Sequence, residues 1–123
     1  ITQAIFNAVG KSLIIDEKHL NAVTGLSGSG PAFVFLFIEA LVDAGVHVGL
    51  SRPDAYQLAV QTVLGASKML EQTGEHPAVL KNRVTTPGGT TTAGLYELEG
   101  GRLRAIVIDA VIAATKRSEE LAG

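Results

Sequence analysis

Apolar residues follow a helical pattern along most of the chain. Almost every residue from Pro31 to Ile38 is apolar, which predicts a helix that is buried on all sides. Pro31 suits the first turn of this helix, and the helix is expected to end between Gly45 and Gly49. A second helix is predicted after Ser51, which is a suitable cap. Its core face has the 4-3-4-3 spacing of paired helices: Ala55, Ala59, Thr62, Ala66 and Met69.

Three further helices are predicted in the second half of the chain. A short helix begins at Pro77 with His76 as its cap, another runs from Thr90 or Thr91 to Glu99, and the last spans about 102–121. The inner face of the last helix is predicted to contain Leu103, Ile106, Val107, Ala110, Val111 and Ala114. Near the N-terminus, 1–10 is interpreted as the end of a helix and 12–15 as prone to β-structure. The predicted fold class is all-α, with 1–15 as the end of a preceding domain or a linker and 16–123 as the helical domain.

The composition indicates that apolar residues remain on the surface of this domain and are buried against something outside it. Hydrophobic residues make up 46% of the chain and charged residues 18%, against about 25% charged in ordinary domains. A partner subunit or a second domain is the expected cover. A membrane is not expected, because the purely apolar run 31–38 falls far short of the ~20 residues that span a bilayer. The chain lacks a signal-peptide pattern and an initiating Met, so it is expected to be a fragment or a processed product.

Charge and side-chain chemistry exclude several classes of function. Lys and Arg number 10 and Asp and Glu 12, giving a net charge of −2, so no nucleic-acid partner is expected. The absence of cysteine excludes disulfides and thiolate metal sites and agrees with a cytoplasmic protein. His19, His47 and His76 are too scattered to indicate a metal site. Asp109 lies within an apolar run and would need a partner if buried, and a structural hydrogen bond is the favoured interpretation.

Two uncharged stretches rich in Gly, Ser and Thr are the candidate sites, 20–31 and 84–96. In the second, Pro87 and two glycines lead into a helix start, where free N–H groups and the helix dipole favour a small anion. The residues alone favour a capped turn that binds only water. In the first, Gly25, Gly28 and Gly30 have the order G-x-x-G-x-G, which does not match the dinucleotide fingerprint, and no Gly-Lys-Ser/Thr occurs. These glycines are better explained by close helix packing.

Three stretches in order resemble pyrroline-5-carboxylate reductases. They are 22–33 (AVTGLSGSGPAF), 64–70 (LGASKML) and 77–99, which is centred on VTTPGGTT at 84–91. The likeness covers roughly 16–121, and the ordered set is highly specific.

The resemblance implies an enzyme that reduces Δ1-pyrroline-5-carboxylate to proline with NADH or NADPH. The dinucleotide would bind mainly to an N-terminal Rossmann domain that is absent from this chain, with 1–15 as its tail. The helical domain would intertwine with its twin in a homodimer, within larger rings of dimers in some members. The substrate loop implied by the match contains Thr86, Gly88, Gly89, Thr90 and Thr91. Its main-chain N–H groups would hold the ring carboxylate, the Thr91 hydroxyl would face the ring nitrogen as the catalytic candidate, and Thr24 would lie near the nicotinamide.

Two other interpretations remain open. The chain could be a non-catalytic oligomerisation module, or the helical domain of a related imino-acid reductase. Without a dinucleotide-binding domain, the chain alone is expected to be inactive.

Overall fold

A β-hairpin precedes the helices. The computed structural model describes residues 3–8, 11–85 and 88–123. Strand β1 (Gln3–Ala8) pairs antiparallel with β2 (Lys11–Asp16), in a register that places Gln3 opposite Asp16 and Ala8 opposite Lys11. The β-prone assignment of 12–15 is confirmed, whereas the helix predicted over 1–10 is wrong for 3–8. So short a segment gains little from helix formation, and β2 supplies backbone partners for it.

The rest of the described chain consists of helices joined by short loops, which confirms the all-α prediction for the domain. A 3-10 turn (Glu17–His19) leads into α1 (Leu20–Val23) and a π-helical turn (Thr24–Gly28). The longer helices follow: α2 (Gly30–His47), α3 (Arg52–Thr73), α4 (Pro77–Arg83), α5 (Thr90–Gly100) and α6 (Leu103–Ala122). The Ser51 hydroxyl accepts a hydrogen bond from the Asp54 N–H at 3.3 Å, so Ser51 caps α3 as predicted.

The chain forms two compact units, one of which comprises 35–102. Its small core joins α2 to α3 through Val42, Ala55 and Ala59, with Ile38, Leu41 and Val46 packed around them. Gly45 lies within α2 and does not end it. A Cβ on Gly45 would come within 2.9 Å of the Ala55 Cβ, so the two backbones pass closely only because both residues are small.

The other unit contains the residues up to Val34 together with 103–123. Here α6 packs against the π-helical turn. Gly25 is buried, and a Cβ on it would overlap the Thr115 hydroxyl and lie 2.8 Å from the Thr115 backbone nitrogen. The interpretation of this glycine cluster as a close-packing device is therefore confirmed at Gly25. The Ser118 hydroxyl donates to Asn21 Oδ1 at 2.8 Å beside this contact.

Much of the apolar surface is exposed in the single chain. Phe35 is 68% and Leu36 66% exposed, so the prediction that this part of α2 is buried on all sides is wrong for the chain by itself. On the predicted core face of α3, Ala55 and Ala59 are buried whereas Thr62, Ala66 and Met69 are exposed. On α6, Ile106 and Val107 are also exposed. The chain has too few neighbouring elements to cover these faces, so their burial requires another polypeptide or another apolar phase.

Within the described residues, one stretch, Glu17–His47, is long and apolar enough to cross a membrane by length and composition. Its best 18-residue window has a mean hydropathy of 1.6, and 11% of that window is buried. A single stretch of this kind is weak evidence, because apolar helices of proteins outside membranes meet the same criteria.

Replacing Gly25 with Ala is expected to lower the free energy of unfolding by about 1–3 kcal/mol, since the added methyl group must displace the Thr115 backbone. Gly30→Ala is the matched control, because a Cβ at Gly30 meets nothing within 4 Å. Urea denaturation of the two variants and the parent chain measures the difference. Equal stability of Gly25→Ala and the parent would show that the close contact does not constrain this turn.

Candidate functional site

The segment before the candidate loop is fixed by hydrogen bonds at both ends of α4. His76 Nδ1 accepts from the Ala78 N–H at 3.0 Å, which confirms His76 as the cap. At the other end the Thr85 hydroxyl donates to the Lys81 carbonyl at 2.7 Å, and the Thr85 N–H donates to the Asn82 carbonyl at 3.2 Å. These bonds fix the direction in which the chain leaves α4. Thr86, the first residue of the predicted substrate loop, lies outside the described residues.

Two glycines form the entry to α5. Gly88 has φ +72°, a left-handed conformation that disfavours side chains. Gly89 is the N-cap residue in extended conformation and, having no side chain, caps no N–H of the helix. The first helical hydrogen bond is donated by the Ala93 N–H to the Gly89 carbonyl at 3.2 Å. The earlier N–H groups lie outside the helical ladder, at the positive end of the helix dipole.

The threonines of the first turn of α5 differ in exposure. Thr90 is exposed, whereas Thr91 is half-buried. The Thr91 hydroxyl has no hydrogen-bond partner among residues 3–8, 11–85 and 88–123. A hydroxyl can both donate and accept, so Thr91 offers a ligand either function beside the main-chain N–H groups. The structure thus brings Gly88, Gly89, Thr90 and Thr91 together at one helix start.

Thr24, the predicted cofactor contact, belongs to the other unit. Its side chain is exposed, and its hydroxyl donates to the Leu20 carbonyl at 2.9 Å. Since that proton is already used, the Thr24 hydroxyl can only accept a further hydrogen bond, through the lone pairs of its oxygen. A ligand at Thr24 must therefore present an N–H or O–H group, such as a carboxamide.

The other candidates from the sequence, the possible metal ligands and Asp109, form no group comparable to the start of α5 among the described residues. No group of three or more His, Cys, Asp or Glu side chains within the described ranges could hold a metal ion. Asp109 is exposed, so it needs no buried partner, and the hydrogen bond expected for it is not found among the described residues. Sequence reasoning missed the pairing of Asn21 with Ser118, because a contact between residues 97 apart leaves no local signal.

The arrangement defines a class of protein: a helical domain with exposed apolar faces and a glycine-led helix start next to the Thr91 hydroxyl. The chain matches the family model for pyrroline-5-carboxylate reductase dimerisation over residues 17–121. The chain belongs to this family.

Curated relatives and a solved structure agree with this assignment. The pyrroline-5-carboxylate reductase of Arabidopsis thaliana is 61% identical over 121 residues, which are 98% of this chain and 44% of that protein. The pyrroline-5-carboxylate reductase of Synechocystis is 54% identical, covering 97% of this chain and 45% of that protein. The structure of the Plasmodium falciparum pyrroline carboxylate reductase with NADP bound gives a TM-score of 0.85 at 41% identity, over 89% of this chain and 44% of that one. The chain therefore spans less than half the length of these relatives.

Gly88→Ala is expected to lower the free energy of unfolding by about 1–2 kcal/mol, since a left-handed backbone is costly for a residue with a Cβ. No atom lies within 4 Å of that Cβ, so the cost is purely conformational. Gly94→Ala in the middle of α5 is the control and is expected to stabilise by about 0.5–1 kcal/mol, because it also meets open space. Urea denaturation measures the free energy of unfolding of both variants. Equal changes in the two variants would contradict the left-handed conformation assigned to Gly88.

Proposed function

We propose that this chain is the dimerising and substrate-holding part of a subunit that reduces Δ1-pyrroline-5-carboxylate to L-proline with NADPH or NADH. The proposal depends chiefly on the start of α5, where Gly89 offers no side-chain cap and the main-chain N–H groups of Thr90 and Thr91 lie next to the half-buried Thr91 side chain. Family membership and the names of the relatives support the choice of substrate.

The start of α5 suits a small cyclic imino acid. Its carboxylate would accept from the main-chain N–H groups after Gly89, so no Arg or Lys side chain is required. Gly88 and Gly89 let the ligand approach the backbone closely. The Thr91 hydroxyl would hydrogen-bond to the ring nitrogen. Gly88, Gly89, Thr90 and Thr91, together with Thr86, are the proposed substrate-binding residues.

The reaction needs orientation more than a reactive side chain. NAD(P)H supplies the hydride that adds to the C=N carbon, and the nitrogen carries a proton in the product. Residues of this chain would hold the ring, keep its reacting carbon in reach of the donor and exclude water. Thr91 is the catalytic candidate because it would orient the nitrogen. Thr24 fits the nicotinamide end, where its hydroxyl oxygen would accept from the carboxamide N–H.

A second copy of the chain is the proposed cover for the exposed apolar helices. Phe35, Leu36 and the exposed residues of α6 would be buried in a homodimer, in which the helices intertwine. Larger rings of dimers in the cytoplasm are part of the same proposal.

Thr91→Val in a full-length subunit is expected to reduce kcat/KM for pyrroline-5-carboxylate by about 10-fold or more, since the hydrogen bond to the reacting ring is lost. Thr62→Val is the control, because that hydroxyl is exposed and donates to the Leu58 carbonyl of its own helix. Dinucleotide oxidation measures both variants, and light scattering checks that the dimer persists. Unchanged kcat/KM for Thr91→Val would remove Thr91 from the site. No turnover of this imino acid by the parent with either dinucleotide would favour a related substrate or a purely oligomeric role.

Phe35→Glu is expected to convert a dimer of this chain into a monomer, because a charge would be buried against the partner. Gln57→Glu, at an exposed polar position of α3, is the control and is expected to remain dimeric. Light scattering gives the mass of each, and the isolated chain is also expected to oxidise no dinucleotide. A monomeric parent chain would contradict the proposed dimer, and turnover by the chain alone would contradict its dependence on a further domain.

A further inference from the structure

Two contacts join α6 to the segment that contains Thr24. On α6, Thr115 and Ser118 are three residues apart and therefore share a face. On the other side, Asn21 and Gly25 are four residues apart and also share a face. Thr115 lies against the Gly25 backbone, and the Ser118 hydroxyl donates to Asn21 Oδ1 at 2.8 Å. The two contacts hold the helical segment at points on either side of Thr24 along the chain.

The backbone at Thr24 is unusual. The Thr24 carbonyl accepts from the Ser29 N–H at 2.8 Å, so the bond spans five residues and the turn is π-helical. Such turns occur often at functional sites, where they redirect a side chain. The Thr24 hydroxyl is itself bonded to the Leu20 carbonyl. The direction of the Thr24 hydroxyl therefore follows the backbone of residues 20–25. This is the segment that the two contacts with α6 hold in place.

We infer that Thr115 and Ser118 are positioning residues that hold the Thr24 hydroxyl toward the nicotinamide end of the cofactor, acting through Gly25 and Asn21. This inference rests on the proposed function. A displacement of about 1 Å at a positioning group can alter hydride-transfer geometry enough to change the rate. The contacts lie beside Thr24 and not in the loop at α5. Their loss is therefore expected to raise the KM for the dinucleotide and to leave the KM for the imino acid unchanged.

Ser118→Ala in a full-length subunit tests the inference. The KM for the dinucleotide is expected to rise about 3- to 10-fold, the effect of losing one hydrogen bond, while the KM for the imino acid stays unchanged. Ser118→Thr retains a hydroxyl on the same carbon and is expected to restore the parent value. Glu119→Ala, on the exposed side of the same turn of α6, is the control and is expected to match the parent.

Asn21→Ala provides a second measurement. If Asn21 and Ser118 act as one pair, the Asn21→Ala, Ser118→Ala double variant is expected to raise the dinucleotide KM no further than either single variant. Additive effects of the two changes would overturn the pairing.

Three outcomes would overturn the inference. One is a dinucleotide KM in Ser118→Ala equal to that of the parent. Another is a parallel rise of both KM values with a lowered Tm, which indicates a purely structural role. The third is failure of Ser118→Thr to restore the parent value while remaining folded. A parent subunit that reduces no pyrroline-5-carboxylate with either dinucleotide would instead overturn the proposed function, and this inference with it.

Discussion

Close approach of helix backbones at small residues is the constraint on which the rest of the structure depends. In one unit Gly45 passes Ala55, and in the other Gly25 passes Thr115. At both positions a larger residue would occupy the space of a neighbouring atom, so the helices would have to separate. Of the buried side chains described in 35–102, Val42, Ala55 and Ala59 are grouped around the first of these contacts, and Leu80 lies outside that cluster. The second fixes the π-helical turn that displays Thr24.

The small size of these core residues also explains why so much apolar surface is left over. Alanine and glycine bring backbones together but bury little area themselves, so large side chains such as Phe35 and Leu36 remain outside the core. A protein that exposed them to water would risk non-specific association. The apolar content of the chain is high for a single domain. It is appropriate for a domain whose core is completed by a second copy, as proposed.

In the proposed function, the loop at α5 would hold its ligand by backbone geometry more than by side-chain charge. A left-handed Gly88 and an extended Gly89 turn the chain so that the start of α5 has no side-chain cap. Thr91 adds a half-buried hydroxyl. Such a site is compatible with the low charge of the chain, and under the proposal a bound dinucleotide would supply the hydride. Its specificity would come from shape and hydrogen bonding to a small ring.

The sequence by itself determined the elements whose signals are local. Ser51, His76 and Pro77 fix helix starts by capping and by the geometry of proline, and the glycines at 88 and 89 predict the turn before α5. The ordered motifs also identified the family. Tertiary structure alone decided the pairing of β1 with β2, the contact of Asn21 with Ser118, and which apolar faces the chain leaves uncovered. These features depend on residues far apart in the chain or on the number of elements available to cover a face. A helical period records which side of a helix is apolar, but not whether this chain or another one covers it.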